Sequence, residues 1–475
     1  KIRPITVNHQ YSTIFFNWAF GVPLELTNAC DYVGGDFYGG PAQQSLVCKA
    51  YYGLTRTRPF EFHTSRTRIF TDHVTMKPMD ELRTESYVAT LHSAGLLLVD
   101  YVNADGTQNP QVYDALKPLN RERAAYEPFL GGELLADVAI YFDKNSLYNP
   151  DENGVHITKL QASDNCPHRD AVVGAARVLR EGHIPYGVVT NANLDLLKNY
   201  RAVILPNVLE LTPEQAEQFR KFVAGGGVLY ASGVSSLDRR PNQEQRFLLE
   251  DVLGVKYKGT VGSKRITYLT PRDSELSKVI WPQDHASFTG TMVRVEALPG
   301  TEVLATVTPP FVDPEIGRAI GSHFAAIHSN PPALTPGKDP AVVLNSFGKG
   351  RSIWIAAPIE SKDEAVNIHL TQHLLKRVFP PPYRFELDAR PAVEMTLFDQ
   401  PQSHRLLASL LNMQQEMPPS AVSATVRVQV PSGRTAGKVL RVPDMKPIAW
   451  QKKGPYLEFR VEPFDVFSMA VVEYA

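Results

Sequence analysis

Over the first 130 residues, short apolar runs alternate with amphipathic stretches. Ile5 to Gln10 (ITVNHQ), Asp31 to Tyr38 (DYVGGDFY), Pro59 to Thr64 (PFEFHT) and Leu96 to Val102 (LLLVDYV) read as four strands. Ile14–Phe20, Gln43–Tyr52 and Met79–Ala94 read as helices between them, and Leu82, Val88 and Leu91 recur in the last at roughly helical spacing. Strands separated by helices predict parallel β/α units. A closed β/α barrel needs eight such units. The expectation for residues 1–130 is therefore the C-terminal half of a (β/α)8 barrel, with an N-terminal half barrel missing from this chain, which starts at Lys1 rather than Met.

The pattern changes near residue 136. Asp137 to Phe142 reads as a buried strand, and Pro167 to Glu181 as a helix with Ala171, Ala175 and Val178 on one face and Gly182 as its stop. Ile184–Val189, Ala202–Leu205 and Val228–Ala231 continue the strands. Thr212–Pro213 opens a helix, with Gln215 completing a capping box. Asp238 to Pro340 reads as less regular. Ala341–Leu344 and Ser352–Ala356 flank a Gly348–Gly350 turn, and a last helix is expected from Ser361, with Glu364 completing another capping box. Residues 136–380 are thus predicted to form a second α/β domain. Pro380–Pro382 mark a linker. Beyond it, Val393–Phe398, Val422–Gln429, Leu457–Val461 and Val466–Val472 alternate apolar and polar residues, predicting a small antiparallel β-sandwich over 383–475.

Composition narrows the function classes. The 475 residues are 43% hydrophobic and 21% charged, with a formal net charge of −1. That balance points to neither nucleic acid nor an acidic membrane surface as partner. No apolar run approaches the length of a membrane-spanning helix. Cys30, Cys48 and Cys166 are far apart, odd in number and outside any zinc spacing, so buried free thiols are expected. No phosphate-cradling Gly/Ser/Thr loop follows Asp137–Phe142, so FMN is not expected, and no cofactor or metal is called for. The sequence does not fix a compartment.

The stretch RPFEFHTSRTRI, Arg58 to Ile69, concentrates chemistry. Phe60 and Phe62 alternate with Glu61 and His63, and a polar cationic run with Ser65, Arg66 and Arg68 follows. In a β/α barrel, strand ends feed the active-site rim. The alternative is an edge strand with a wet face.

Three stretches resemble family-42 β-galactosidases: CDYVGGDFYGG one barrel strand, RPFEFHTSRT the strand bearing the nucleophilic Glu, and ADVAIYFDKNS the opening of the trimerisation domain. FEFHTSR followed by MKP and a helix is similar also to hypothetical glycosyl hydrolases that carry the same trimerisation domain. The resemblance implies a barrel, then a flavodoxin-like domain, then a small β domain, assembled as a homotrimer. It implies a glycoside hydrolase of β-galactosidase-like or α-L-fucosidase-like type acting on a carbohydrate substrate through two carboxyl groups. Glu61 and Asp36 are the candidate catalytic pair. Asn8, His9, Trp18, Tyr38, His63, Arg66 and Asp100 are the candidate substrate-binding residues: hydrogen-bonding groups at strand ends, and rings able to stack on a sugar face. Arg66 could instead orient Glu61. Two departures stand out. The family's acid/base Glu lies on an earlier strand than any here, and Glu61 is followed by Phe–His rather than Gln or a small residue. The second domain also resembles class I glutamine amidotransferases in outline, but Ser232–Gly233 stands where they carry a catalytic Cys, which favours a scaffold. The alternative function is a degenerate barrel kept for carbohydrate binding or assembly.

Overall fold

The computed structural model describes residues 6–8, 24–37, 39–69, 71–149, 152, 154, 165–240, 243–280, 285–312 and 329–475. The helix expected over Ile14–Phe20 lies outside them. The chain divides into two compact units. One comprises Lys1–Asp137, Leu179–Val188 and Pro382–Ala475; the other comprises Val138–Val178 and Val189–Pro381.

In the first unit, β1 (Thr6–Asn8), β2 (Tyr32–Asp36), β3 (Glu61–Ser65) and β4 (Gly95–Val99) form a four-stranded sheet in sequence order, all neighbours parallel. Helices α1 (Pro41–Leu54), α2 (Met79–Leu91) and α3 (Pro110–Ala124) alternate with these strands or follow them. Side chains alternate across a strand, and the two faces differ in chemistry. On one face Phe62 stacks on Phe37 with ring centroids 4.2 Å apart. On the same face the Thr64 hydroxyl donates to Glu85 of α2 at 2.7 Å, and Leu98 packs on a cluster of Leu82, Val112, Leu116 and Leu119. The other face carries Asp36, Glu61, His63 and Leu97, and Leu97 is 43% exposed. Among the described residues the sheet is open, with β1 and β4 at its edges.

Helix α3 escapes the sequence pattern. Pro118 inside it reads as a breaker, and its buried apolar residues are only Val112, Leu116 and Leu119. Its start is well specified: the Asn109 side chain accepts from Gln111 N at 3.0 Å, with Pro110 next.

The C-terminal segment forms two antiparallel sheets. One orders Phe385–Asp388, Val422–Val428, Tyr456–Phe464 and Trp450–Lys453. The other orders Lys446–Ile448, Ala436–Val442, Phe467–Tyr474, Arg405–Asn412, Val393–Gln400 and a short β5 (Glu133–Leu134). Leu387, Val426 and Phe459 from the first share one core with Leu397, Ala408 and Val472 from the second. Fully burying a Val, Leu or Phe side chain in such a core stabilises the fold by roughly 1.5–3 kcal/mol. Arg405–Asn412 reads RLLASLLN, with apolar residues in adjacent pairs on both faces, which hides it from a period-two reading.

A nine-stranded sheet runs Ser287–Phe288, Thr267–Pro271, Glu302–Thr308, Pro340–Phe347, Gly350–Ile355, β9 (Val228–Ser232), β8 (Ala202–Leu205) and β6 (Val138–Phe142), all in the second unit, to β7 (Tyr186–Thr190), of which Val189 and Thr190 belong to that unit. It is parallel from Gly350–Ile355 through β9 and β8 to β6, and antiparallel on the other side. The region expected to be irregular, Asp238 to Pro340, therefore supplies three strands of this sheet. It also supplies a separate antiparallel pair, Val255–Val261 with Met292–Ala297, whose register slips at Gly259. Between the parallel strands lie α4 (Pro167–Glu181) and α5 (Pro213–Ala224).

The Thr212 capping box of α5 is present: Gln215 N donates to Thr212 Oγ1 at 3.3 Å, and Thr212 N to Gln215 Oε1 at 2.9 Å. The second expected capping box is not. The last helix spans Ala365–Val378 with no side-chain cap from Glu364. Ser361 closes a preceding turn instead, its hydroxyl donating to Pro358 O at 2.7 Å. Ser232 at the expected scaffold turn is fully buried; its hydroxyl donates to Glu360 at 2.5 Å, and Tyr230 donates to the other oxygen at 3.0 Å. Gly233 follows at φ 56°, and a Cβ there would lie 2.2 Å from Asn207 Oδ1. Cys30, Cys48 and Cys166 are buried free thiols.

Candidate active site

Strand register brings three of the predicted residues together. Gly34 pairs with Glu61, and Asp36 with His63. The two-residue period then puts Asp36, Glu61 and His63 on the face that the helices leave open. His63 Nε2 lies 3.1 Å from Glu61 Oε2, and Nδ1 lies 3.6 Å from Asp36 Oδ1. The side chains of Glu61, Asp36 and His63 are 33%, 23% and 12% exposed. Burial disfavours the imidazolium, but hydrogen bonds to Asp36 and Glu61 and their negative charges outweigh it and raise the His63 pKa above its ordinary value. The cluster can hold a proton on the ring and present two carboxyl groups on either side of it.

One expectation needs correction. Glu61 opens β3 rather than standing at its end. The ladder continues through Thr64 and Ser65, which pair with Leu98 and Val99. Their hydroxyls are satisfied by Glu85 and Thr67, and Ser65, which read as the start of the polar run after the strand, remains in it. Asp36 does end β2.

Arg66 and Asp100 lie just beyond β3 and β4, joined to each other. Arg66 Nε bonds Asp100 Oδ1, and its two terminal nitrogens donate to Val74 O and His73 O, each at 3.1 Å. These bonds commit the guanidinium to the following loop, not to Glu61. Burial pushes the Asp100 carboxyl up, but hydrogen bonds from Arg66, from Tyr101 N and from Tyr113 hold it below its usual range. The His73 ring stacks on Tyr101 at 3.6 Å between centroids and 7° between planes. Neither His73 nor Tyr101 is among the candidate residues that the sequence suggests. Asn8 pairs with Gly34 and so shares a row with Glu61 across the sheet. His9, Trp18 and Tyr38 lie outside the described residues. Among the described residues no group of three His, Cys, Asp or Glu side chains is placed to hold a metal ion.

No family model matches the chain. In sequence it is 23% identical over 374 residues to β-galactosidase BgaB of Geobacillus sp. (strain Y412MC61), covering 72% of this chain and 47% of that protein. The chain resembles family-42 β-galactosidases. Among solved structures, α-L-fucosidase isoenzyme 2 from Paenibacillus thiaminolyticus is similar with a TM-score of 0.76 and 20% identity, covering 95% of this chain and 66% of that one. Gan42B, a GH42 β-galactosidase, gives 0.68 and 14%, covering 98% and 63%. The β-galactosidase from Bacillus circulans sp. alkalophilus gives 0.67 and 16%, with the same coverage as Gan42B. The chain thus shares its mixed α/β fold with glycoside hydrolases, and it spans about half the length of the curated relatives it matches.

Proposed function

We propose that this protein is a glycoside hydrolase, with residues 1–130 forming the C-terminal half of a β/α barrel. The observation that carries the reading is the Asp36–His63–Glu61 cluster on the open face of a parallel sheet, in a fold shared with a β-galactosidase and an α-L-fucosidase. One imidazole between two carboxylates sets a separation on the scale of the roughly 5–9.5 Å that glycosidase carboxyl pairs use. In this reading Glu61 and Asp36 supply the two carboxyl groups. His63 holds them in place and keeps a proton between them. Substrate hydroxyls meet the polar face that carries Glu61. Nitrophenyl β-D-galactoside and α-L-fucoside are the substrates to assay. Glu61→Gln and Asp36→Asn should each lower turnover by at least about a hundredfold while leaving the melting temperature nearly unchanged. Full turnover in either variant removes that residue from the reaction.

A second reading, a non-catalytic barrel kept for carbohydrate binding or assembly, draws support from the position of Glu61. It opens β3, whereas β/α-barrel chemistry gathers at the carboxyl ends of the strands. Sugar binding without turnover in the intact chain favours it. We also propose a homotrimer, with the second unit supplying the contacts.

A further inference from the structure

We propose that the second unit contains a separate binding site for a neutral polyhydroxylated small molecule of monosaccharide size, in a cleft above the carboxyl ends of β6 and β8. The inference does not rest on the glycosidase reading. In the sheet, β6 lies between β7 and β8. The chain leaves β6 toward one side, through α4 to β7, and returns to the other side as β8. The strand order therefore reverses between β6 and β8, and the segments leaving these two strands diverge. In open α/β sheets such a reversal leaves a crevice outside the carboxyl ends of the strands, where ligands bind.

That crevice exists here, with a volume of about 300 Å³. Asp143, the residue after β6, lines it, as do Asn145, Glu210, Leu211, Leu237 and Arg239 from the segments following β6, β8 and β9. Leu211 and Leu237 give it an apolar wall. The polar groups alternate in character. Asp143 is buried and accepts from Ser146 N at 2.8 Å and Ser146 Oγ at 2.7 Å. Its neighbour in the cleft, Arg240, is already held by Asp238 at 2.9 and 2.7 Å. Glu210 N donates to Ser146 Oγ at 2.9 Å, but the Glu210 carboxylate and the Arg239 guanidinium make no hydrogen bond or ion pair among the described residues. An unpaired carboxylate and an unpaired guanidinium in one cleft suit a ligand that both donates and accepts.

Phosphate-bearing ligands fit poorly. The turn after β6 reads Asp143–Lys144–Asn145 with no glycine cradle, and the carboxylates of Asp143, Glu210 and Asp238 are among the lining groups. Ring hydroxyls of a sugar can bond to carboxylate, amide and guanidinium at once, and its C–H face can rest on Leu211 and Leu237.

The test is saturation-transfer NMR on the full chain with D-galactose and with L-fucose, and with inorganic phosphate as competitor. Saturable binding of at least one sugar is expected. Arg239→Ala should weaken it about two- to tenfold, the range of one lost hydrogen bond. Binding should persist in the Asp36→Asn/Glu61→Gln double variant, and in that background Leu211→Trp, which fills the cleft, should abolish it. Should Leu211→Trp unfold, the half-exposed Arg239 decides alone. The proposal is overturned if neither sugar binds, if binding survives Arg239→Ala at full strength, if it disappears in the double variant, or if phosphate displaces it.

Discussion

His63 Nε2 lies 3.1 Å from Glu61 Oε2 while the other ring nitrogen faces Asp36 at 3.6 Å, so a single imidazole is flanked by two carboxylates. Burial works against charging the ring, and the two carboxylates outweigh it. The folded pKa is raised above the ordinary value of about 6.5. A group raised in this way contributes its full stability below the unfolded value and loses it as pH rises through the folded one. His63→Gln should therefore cost more stability in mildly acidic buffer than at a pH of about 8. Urea denaturation of both proteins at both pH values measures this. A pH-independent difference would mean that the fold favours the charged ring no more than the unfolded chain does.

Lys49 of α1 and Glu394 of the C-terminal sandwich pair inside the first unit, 3% and 4% exposed. Lys49 Nζ also donates to Ser45 Oγ at 2.9 Å and lies 4.4 Å from the Tyr186 ring centroid. Removing one partner strands a buried charge. Lys49→Met should cost about 3–5 kcal/mol in chemical denaturation, and Lys49→Met with Glu394→Leu should recover most of it. Equal losses in the single and double variants would show that packing, not charge, is what Lys49 supplies.

Glu360 is fully buried in the second unit, and burial raises its pKa to about 7 against the hydrogen bonds from Ser232 and Tyr230. An acid raised on folding costs nothing while both states are protonated, and destabilises increasingly as pH climbs from its unfolded value through the folded one. Glu360→Gln should therefore raise the melting temperature more at a pH of about 8 than at about 5. The reverse order in calorimetry would show a carboxylate that the fold stabilises in its charged form.

The proposed trimer predicts three subunit masses by light scattering coupled to gel filtration at micromolar concentration. A cyclic trimer closes through a heterologous interface, and a lasting one buries well over about 1,000 Å² per contact. One subunit mass would end the proposal; two would replace threefold symmetry with another.

Much of the fold was legible along the chain. The four parallel strands, α1 and α2, and the capping box at Thr212 follow from local pattern and end chemistry, because period and capping involve residues within a turn or two of each other. The missed elements share a cause. Arg405–Asn412 is buried on both faces, α3 carries an internal proline, and the strands between Asp238 and Pro340 are held by partners far away in sequence.

For the site, the sequence by itself determined which groups are present: Phe60 and Phe62 turned one way, Glu61 and His63 the other, with Asp36 at the end of the preceding strand. Tertiary structure alone decided that Asp36 stands opposite His63, that Arg66 answers to Asp100 instead of Glu61, and that Glu61 begins its strand. The physical reason is register. A one-residue slip between β2 and β3 would turn every side chain to the opposite face. What prevents it is the packing of Phe62 on Phe37 and of Thr64 on Glu85, contacts formed only once the sheet and its helices have come together.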